Sequence, residues 1–183
     1  IEYALKKYPR TNHRHRIEHC AICPHALAKR LAFSGIMVVT QPSFIFYHGE
    51  RYVRTVPPEQ LSHLYPLATL FNEGVVVSAS SDFPVSPPNP LVGIYAAMSR
   101  KSETKEVILQ GECVSPSQAI LLYTKHAAQS VFEEREKGSI TPGNLADLVV
   151  LNGDPTSLDP EAIREIKVRM TIINGQIVWE SGE

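Results

Sequence analysis

The stretch Ile36-Met37-Val38-Val39-Thr40, followed at once by Gln41-Pro42, decides the fold class. It is short, continuously apolar and β-branched, and such runs form strands that are buried on both faces, as in parallel sheets. A second run of this type covers Val75–Ser80, and an extended run covers His15–Cys20. Helical segments separate the three runs. Alternating strands and helices predict an α/β fold with a parallel sheet.

Helical spacing of apolar residues predicts the elements between these strands. The first helix begins at Pro24 and ends before Gly35, which has the C′ position. The second covers Glu59–Asn72, and Pro66 is expected to kink it. Segment 44–58 is aromatic, contains prolines and has no period, so we predict a long loop there. Three further helices are predicted at Ile1–Lys7, Leu91–Ser99 and Ser115–Phe132.

The pattern changes after residue 137, where short strands replace the alternation. We predict strands at Asp147–Leu151, Val168–Ile173 and Gln176–Trp179. Asn174-Gly175 joins the last two, and this dipeptide is the strongest short signal for a hairpin. Trp179 is expected to lie in a core. The sequence therefore predicts a division into residues 1–137 and a β-rich part, residues 138–183.

Composition excludes several classes of protein. The 183 residues contain 18 Lys and Arg against 19 Asp and Glu, a net charge of −1, which argues against a nucleic-acid-binding module. No apolar run is long enough to span a bilayer, and residues 1–16 have no apolar region typical of a signal peptide. Three cysteines do not make a disulfide scaffold and fit a reducing, cytoplasmic compartment. A complete (β/α)8 barrel needs about 250 residues, so the chain is too short to form one.

Two residues whose side chains could bind a metal or take part in catalysis come directly after predicted strands. His19 follows the first strand and Asp82 follows the third. Catalytic groups gather at the carboxyl ends of parallel strands, and His and Asp are common ligands of zinc and similar ions. A hydrogen-bonded surface histidine and an aspartate in an Asx-turn are the structural alternatives. Spacing alone leaves both interpretations open.

Five segments, taken in order, resemble the metal-dependent amidohydrolases, in the branch that contains N-substituted formamide deformylase. The segments are His15-Arg16-Ile17-Glu18-His19, Gln41-Pro42, Ser81-Asp82-Phe83-Pro84-Val85, Ala119–Ala127 and Gly138–Val150. The resemblance implies a partial (β/α)8 (TIM) barrel comprising about its last three strands with their helices. A small β-rich C-terminal subdomain, part of a composite β-sandwich, would follow. In this family an H-x-H motif, a bridging Lys or Glu and a further His precede these segments. We therefore expect the chain to be the C-terminal part of such an enzyme and to be inactive alone.

The resemblance also implies the chemistry of the site. His19 would be a metal ligand, and Asp82 would bind the metal or the attacking water and act as the general base. The expected cofactor is a divalent metal, zinc before other ions, with one or two ions in a complete enzyme. The reaction would be hydrolysis of an amide-like C–N bond in a small non-peptide or acylated substrate. Substrate contacts are expected in loops 44–58 and 85–90.

Neighbouring residues receive structural roles. Glu18 points away from His19 on a strand and is expected to pair with Arg14 or Arg16. Ser81 is expected to orient Asp82. A sheet from an incomplete barrel leaves unpaired strand edges, so we expect the chain to self-associate through them.

Two other functions compete with the hydrolase. Cys20 and Cys23 have C-x2-C spacing, which occurs in half of a structural zinc site or in a redox pair. Packing of two buried cysteines beside a strand is the structural alternative. The chain could also be a non-catalytic α/β binding or scaffold module.

Overall fold

A computed structural model of the protein describes residues 1–182 and contains two three-stranded sheets. The first sheet consists of β1 (Arg16–Glu18), β2 (Met37–Thr40) and β3 (Val77–Ala79), in that order and all parallel. Ile17 lies opposite Val38, and Val38 lies opposite Val77. The prediction of an α/β fold with a parallel sheet is confirmed. The three strands do not close into a barrel within the described residues.

Nine α-helices and one 3-10 turn are the other elements of residues 1–182. Helix α6 begins with Asn89, whose side chain accepts from the Leu91 N–H at 3.0 Å, and α7 begins with a capping box of Ser115 and Gln118. The helices are α1 (Glu2–Lys7), α2 (His25–Phe33), α3 (Ser43–Thr55), α4 (Pro58–Leu61), α5 (Leu67–Asn72), α6 (Pro90–Ser99), α7 (Pro116–Tyr123), α8 (Lys125–Ser130) and α9 (Pro160–Ile163), with the 3-10 turn at Gln110–Glu112. No helix among them is long and apolar enough to cross a membrane.

The prediction of a loop at 44–58 is wrong, because α3 occupies most of this segment. The apolar and aromatic residues Phe44, His48 and Tyr52 recur at intervals of four, so they share one face of a helix. Five residues at the start of α3 are buried, which supplies the packing that makes this helix stable. The aromatic and proline residues of this segment obscured the helical period, so the sequence pattern did not predict the helix.

The long helix predicted at Glu59–Asn72 is also wrong. Two short helices, α4 and α5, replace it, and Pro66 is the N-cap of α5 instead of a kink within one helix. Between them Leu64 forms an antiparallel bridge with Ile22, and Tyr65 has φ +44°. These main-chain bonds to another segment are incompatible with a continuous helix. The predicted helix Ser115–Phe132 is likewise interrupted, at Thr124.

The core forms two clusters of buried apolar side chains. The larger cluster covers the face of the parallel sheet that carries Val38 and Val77, each fully buried, and packs against helices α2, α6 and α7. The smaller cluster lies beside α3 and consists of Phe44, Ile45, Leu64, Tyr65 and Ile108. It fixes α3 against the carboxyl-terminal side of the sheet. The sheet and α3 therefore share one rigid support.

The second sheet is antiparallel and contains β4 (Leu148–Leu151), β5 (Val168–Ile173) and β6 (Gln176–Glu180). Asn174 and Gly175 both have positive φ and form the predicted hairpin. The predicted core position of Trp179 is wrong, because this side chain is 49% exposed. All five residues of β6 are exposed, since nothing in the described part of the chain covers this edge strand.

Two ion pairs lie on and beside β1. Glu18 pairs with Arg16 at 2.6 Å, as one of its two predicted partners. Arg14 instead binds Glu134 through two hydrogen bonds, at 2.7 and 2.5 Å, and stacks on the Phe132 ring. This arrangement holds the pKa of Glu134 down to about 2, because the guanidinium favours the charged carboxylate. Arg14 thereby ties the start of β1 to the end of α8.

The close approach of Gly49 in α3 to Ile108 gives a test of this packing. A Cβ at position 49 would lie 2.1 Å from Ile108 Cδ1. We expect Gly49→Ala to lower the free energy of unfolding by about 2 kcal/mol, because overpacking exceeds the gain in helix propensity. In an Ile108→Val background, which lacks the clashing methyl, the same substitution should be close to neutral.

Urea denaturation of the four proteins measures the two effects. Gly111→Ala is the matched control, because nothing lies within 4 Å of a Cβ at that position. Equal costs of Gly49→Ala in both backgrounds would show that Ile108 does not support α3.

Candidate active site

Polar side chains follow all three strands of the parallel sheet. His19 comes after β1, Gln41 comes after β2, and Ser80, Ser81 and Asp82 come after β3. Because the strands are parallel, their carboxyl ends lie at one edge of the sheet. The structure therefore brings the two residues predicted as site residues, His19 and Asp82, to the same edge.

A hydrogen-bonded chain crosses this edge from β1 to β3. His19 Nδ1 lies 2.8 Å from Gln41 Oε1, and Gln41 Nε2 donates to Ser80 Oγ at 3.0 Å. The Gln41 oxygen can only accept, so His19 carries its proton on Nδ1. In the neutral form of the ring, Nε2 then has a free lone pair. A histidine whose other nitrogen is held by an acceptor is the usual form of a metal ligand.

The backbone turns sharply where these residues leave the strands. His19 has φ +64° and Asp82 has φ +53°. Left-handed backbone at residues other than glycine is uncommon and clusters at functional sites. At His19 the turn is held by its own N–H, which donates to Val39 O at 2.7 Å. The orientation of the imidazole is therefore fixed from the main chain as well as from Gln41.

The loop after β3 is fastened to the start of α3. Ser86 Oγ donates to Ser81 O at 2.6 Å, and Ser43 Oγ lies 3.1 Å from Ser86 Oγ. Both Ser43 and Ser86 are buried. The main chain beside Asp82 is thus anchored on α3. The expected orienting role of the Ser81 side chain stays a prediction, since the bond described here uses the Ser81 carbonyl.

An aromatic face of α3 lies next to His19. The Phe44 ring is 6.5 Å from the His19 ring, centroid to centroid, and 5.4 Å from the His48 ring. Tyr52 follows one turn later and its hydroxyl lies 3.5 Å from that of Tyr65. Burial raises the pKa of Tyr65, and Tyr52 and the Asp82 carboxylate raise it further. Tyr65 therefore presents a neutral hydroxyl near the carboxylate.

Phe44, His48, Tyr52 and Tyr65 form an aromatic wall beside His19. A buried arginine supports the part of this wall that contains Tyr65. Arg100 is fully buried, and its guanidinium donates to the carbonyl oxygens of Leu64, Tyr65 and Ile108 at 3.0, 2.9 and 3.0 Å. Burial lowers the pKa of Arg100 to about 10, so the side chain stays charged near neutral pH. The three bonds hold Tyr65 in its left-handed conformation. Arg100 thus sets the position of a residue in the wall without reaching the site.

The donors at this edge fit a metal ion as part of a ligand set. Neighbouring strands lie about 4.8 Å apart, so β1 and β3 are separated by about 10 Å, which two side chains can span toward one ion. A neutral imidazole nitrogen and a carboxylate are suitable ligands for zinc. Within residues 1–182 no group of three or more His, Cys, Asp or Glu could hold a metal. His19 and Asp82 would therefore need further ligands from outside these residues.

Cys20 and Cys23 lie beside this edge as free thiols that interact with each other. A hydrogen bond from Cys23 lowers the pKa of Cys20, and the same interaction, with burial, raises the pKa of Cys23. The described residues place no third ligand type with them that would make a metal site.

Sequence reasoning missed three residues that support the site. The position of Gln41 could have identified it as a site residue, because it follows β2 as His19 follows β1. The sequence analysis assigned no chemical role to it. Tyr65 was placed inside a helix that does not form. Arg100 had no signal, because its partners are carbonyl oxygens whose positions depend on the tertiary structure.

Comparisons with known proteins all indicate one enzyme family. Residues 1–179 match a family described as the amidohydrolase family. The chain is 33% identical over 181 residues to the protein YtcJ of Bacillus subtilis strain 168, covering 97% of this chain and 34% of YtcJ. It is 30% identical over 167 residues to N-substituted formamide deformylase of Arthrobacter pascens, covering 90% of this chain and 31% of that enzyme. The chain thus spans about a third of the length of these relatives.

A solved structure agrees with the sequence matches. A metal-dependent hydrolase from Pyrococcus furiosus superposes with a TM-score of 0.69 and 28% identity. The superposition covers 85% of this chain and 32% of that one.

Removal of the buried guanidinium tests the support of Tyr65. We expect Arg100→Met to lower the free energy of unfolding by about 3 kcal/mol, because three buried carbonyl oxygens lose their donors. Lys101→Met is the matched control, since its ion pair with Glu161 is partly exposed and should contribute less than about 1 kcal/mol. Denaturation curves give both values. Equal small losses would mean that Arg100 does not hold this segment.

Proposed function

This chain belongs to the amidohydrolase family, and we propose on that premise that it supplies part of the active site of a metal-dependent hydrolase. The proposed reaction is hydrolysis of an amide-like C–N bond in a small molecule. The observation that carries the proposal is the bond between His19 and Gln41, which leaves Nε2 of the imidazole available at the edge where Asp82 lies. A surface histidine without a function would not need a buried glutamine to fix its tautomer.

The proposed architecture is that of an incomplete barrel. Residues 1–137 would form about the last three strands of a (β/α)8 barrel with their helices, and residues 138–183 would belong to a composite β-sandwich. The parallel order β1-β2-β3 and the superposition on a metal-dependent hydrolase support this assignment. Active sites of such barrels lie at the carboxyl ends of the strands, and both His19 and Asp82 follow such ends.

His19 and Asp82 would hold a divalent metal, for which zinc is the proposed ion. A bound ion of this kind makes water acidic enough to lose a proton near neutral pH and polarises a carbonyl oxygen. The role of His19 is to present Nε2, with Gln41 holding Nδ1. The role of Asp82 is to accept a proton from the attacking water and to pass it to the leaving nitrogen. Gln41 acts as a positioning residue.

The substrate is proposed to lie between the α3 face and the loop at residues 85–90. His48 and Tyr52 are partly exposed on α3, while Phe44 is covered and backs them. The wall is aromatic and carries no carboxylate or ammonium group, so it suits a small and largely apolar acyl or amine group better than a charged one. This replaces the predicted binding loop at 44–58 by a helix face.

Substitution of the proposed base gives the sharpest test. In a polypeptide of the relatives' full length that contains this chain, Asp82→Asn should lower kcat for N-substituted formamides by at least about 100-fold, because the amide cannot take the proton. Asp154→Asn is the control, since within residues 1–182 the hydrogen bonds of Asp154 go to its neighbours Thr156 and Ser157. Turnover retained by Asp82→Asn would end the proposal for this residue. Activity that survives a chelator would end the metal-dependent mechanism.

The chain by itself is proposed to be inactive and to self-associate. Strands β1 and β3 each pair on one side only within the described residues, and such edges recruit further strands. Light scattering at several concentrations should show dimers or larger species. Val178→Lys is the control, because Val178 is 56% exposed on the second sheet and its substitution should leave association through the first sheet unchanged. A monodisperse monomer would contradict the proposal. The three free thiols are the basis for proposing a reducing, cytoplasmic location.

A further inference from the structure

A cavity of about 260 Å³ lies at the carboxyl end of β3 and has no role in the proposed hydrolysis. It is lined by Ser43 at the start of α3, by Ser80 and Ser81 after β3, by residues 88–90 and by Tyr123 at the end of α7. None of these side chains carries a charge. The residue after Ser81 is Asp82, so the cavity adjoins the edge that carries the proposed site.

The hydrogen bonds around the cavity leave three hydroxyl protons unused among residues 1–182. Ser80 Oγ accepts from Gln41 Nε2 at 3.0 Å, so its own proton is available to a further acceptor. The hydroxyls of Ser81 and Tyr123 make no hydrogen bond within the described residues. No buried side-chain oxygen there lacks a partner, so these two hydroxyls are accessible to a ligand.

Ser43, in contrast, has no proton to offer a ligand. Ser86 donates its single hydroxyl proton to Ser81 O at 2.6 Å, so the 3.1 Å bond between Ser43 Oγ and Ser86 Oγ uses the Ser43 proton. The cavity therefore offers more donors than acceptors. A ligand that accepts hydrogen bonds fits it.

The Tyr123 hydroxyl is held against α6 at Gly93. A Cβ at position 93 would collide with this hydroxyl, so only glycine leaves room for it. Burial raises the pKa of Tyr123, because the phenolate would be poorly solvated. The hydroxyl therefore keeps its proton near neutral pH and serves as a donor.

We propose that this cavity is a subsite for a neutral hydrogen-bond acceptor of the substrate, such as an ether, ester or amide oxygen, bound by Tyr123 and Ser81. An uncharged group is favoured because burial of an ion without a counter-charge is costly. The carboxylate of Asp82, next in the chain, would also repel an anion. That the bound group belongs to the substrate rests on the proposed function, whereas binding of such a group to the cavity does not.

Ligand-observed NMR of this chain with N,N-dimethylacetamide tests the binding. The probe has a strong acceptor, no donor and no charge. We expect saturable binding that Tyr123→Phe weakens about fivefold, the usual effect of one lost neutral hydrogen bond, and that Ser81→Ala weakens to a similar extent. Tyr3→Phe is the matched control, because Tyr3 is 80% exposed on α1 and lies outside the cavity. Melting curves show whether each variant is folded.

Equal affinity of Tyr123→Phe and the unaltered chain would overturn the proposal. So would a response that does not saturate, because the cavity would then hold solvent only.

A matched pair of substrates tests the assignment to the substrate. N-(2-methoxyethyl)formamide and N-butylformamide have the same length, and an ether oxygen in the first replaces a methylene in the second. In a polypeptide of the relatives' full length that contains this chain, Tyr123→Phe should lower kcat/KM for the ether relative to the butyl compound about fivefold, mainly through KM. Equal losses for both substrates would overturn the subsite. Binding that depends on Tyr123, with no turnover of either substrate, would contradict the proposed function and support the cavity as a binding site.

Discussion

Parallel pairing of β1, β2 and β3 is the constraint on which the candidate site depends. His19, Gln41 and Asp82 lie far apart along the chain, and they share one edge of the sheet only because each follows a strand whose carboxyl end lies there. Apolar, β-branched residues make this pairing stable, since Val38 and Val77 face each other fully buried. An antiparallel arrangement would send one of the three side chains to the opposite edge. The chemistry of the site therefore rests on strand direction.

A second layer of support determines how rigid this edge is. The guanidinium of Arg100 donates to the carbonyl oxygens of Leu64 and Tyr65 and so holds this segment in place. The Tyr65 N–H in turn donates to Ala21 O, in the loop that carries Cys20 and Cys23. The left-handed residues at the site cost conformational energy. Burial of the smaller core cluster and these hydrogen bonds offset that cost. A hydrolase needs such fixed positions, because catalysis depends on groups that are oriented before the substrate arrives.

The errors of prediction lie where long-range contacts override local signals. Segment 44–58 looked like a loop, but burial of its aromatic face makes it helix α3. Leu64 and Tyr65 have a helical pattern, but the Tyr65 N–H donates to Ala21 O and the carbonyls of both residues accept from Arg100 instead. Trp179 is apolar and yet exposed, because its edge strand has no covering element among the described residues.

The sequence alone predicted the three parallel strands and the hairpin at Asn174-Gly175, which are confirmed, and it showed that His19 and Asp82 each follow a strand. These features depend on local patterns: periodicity, turn residues and the residue type at a strand end. The metal-binding role of His19 and Asp82 stays a prediction. The tautomer of His19, the helical wall beside it and the buried Arg100 were decided by the tertiary structure. Each depends on a partner distant in sequence, such as Gln41 for His19, and no local pattern specifies which distant oxygen a side chain will meet.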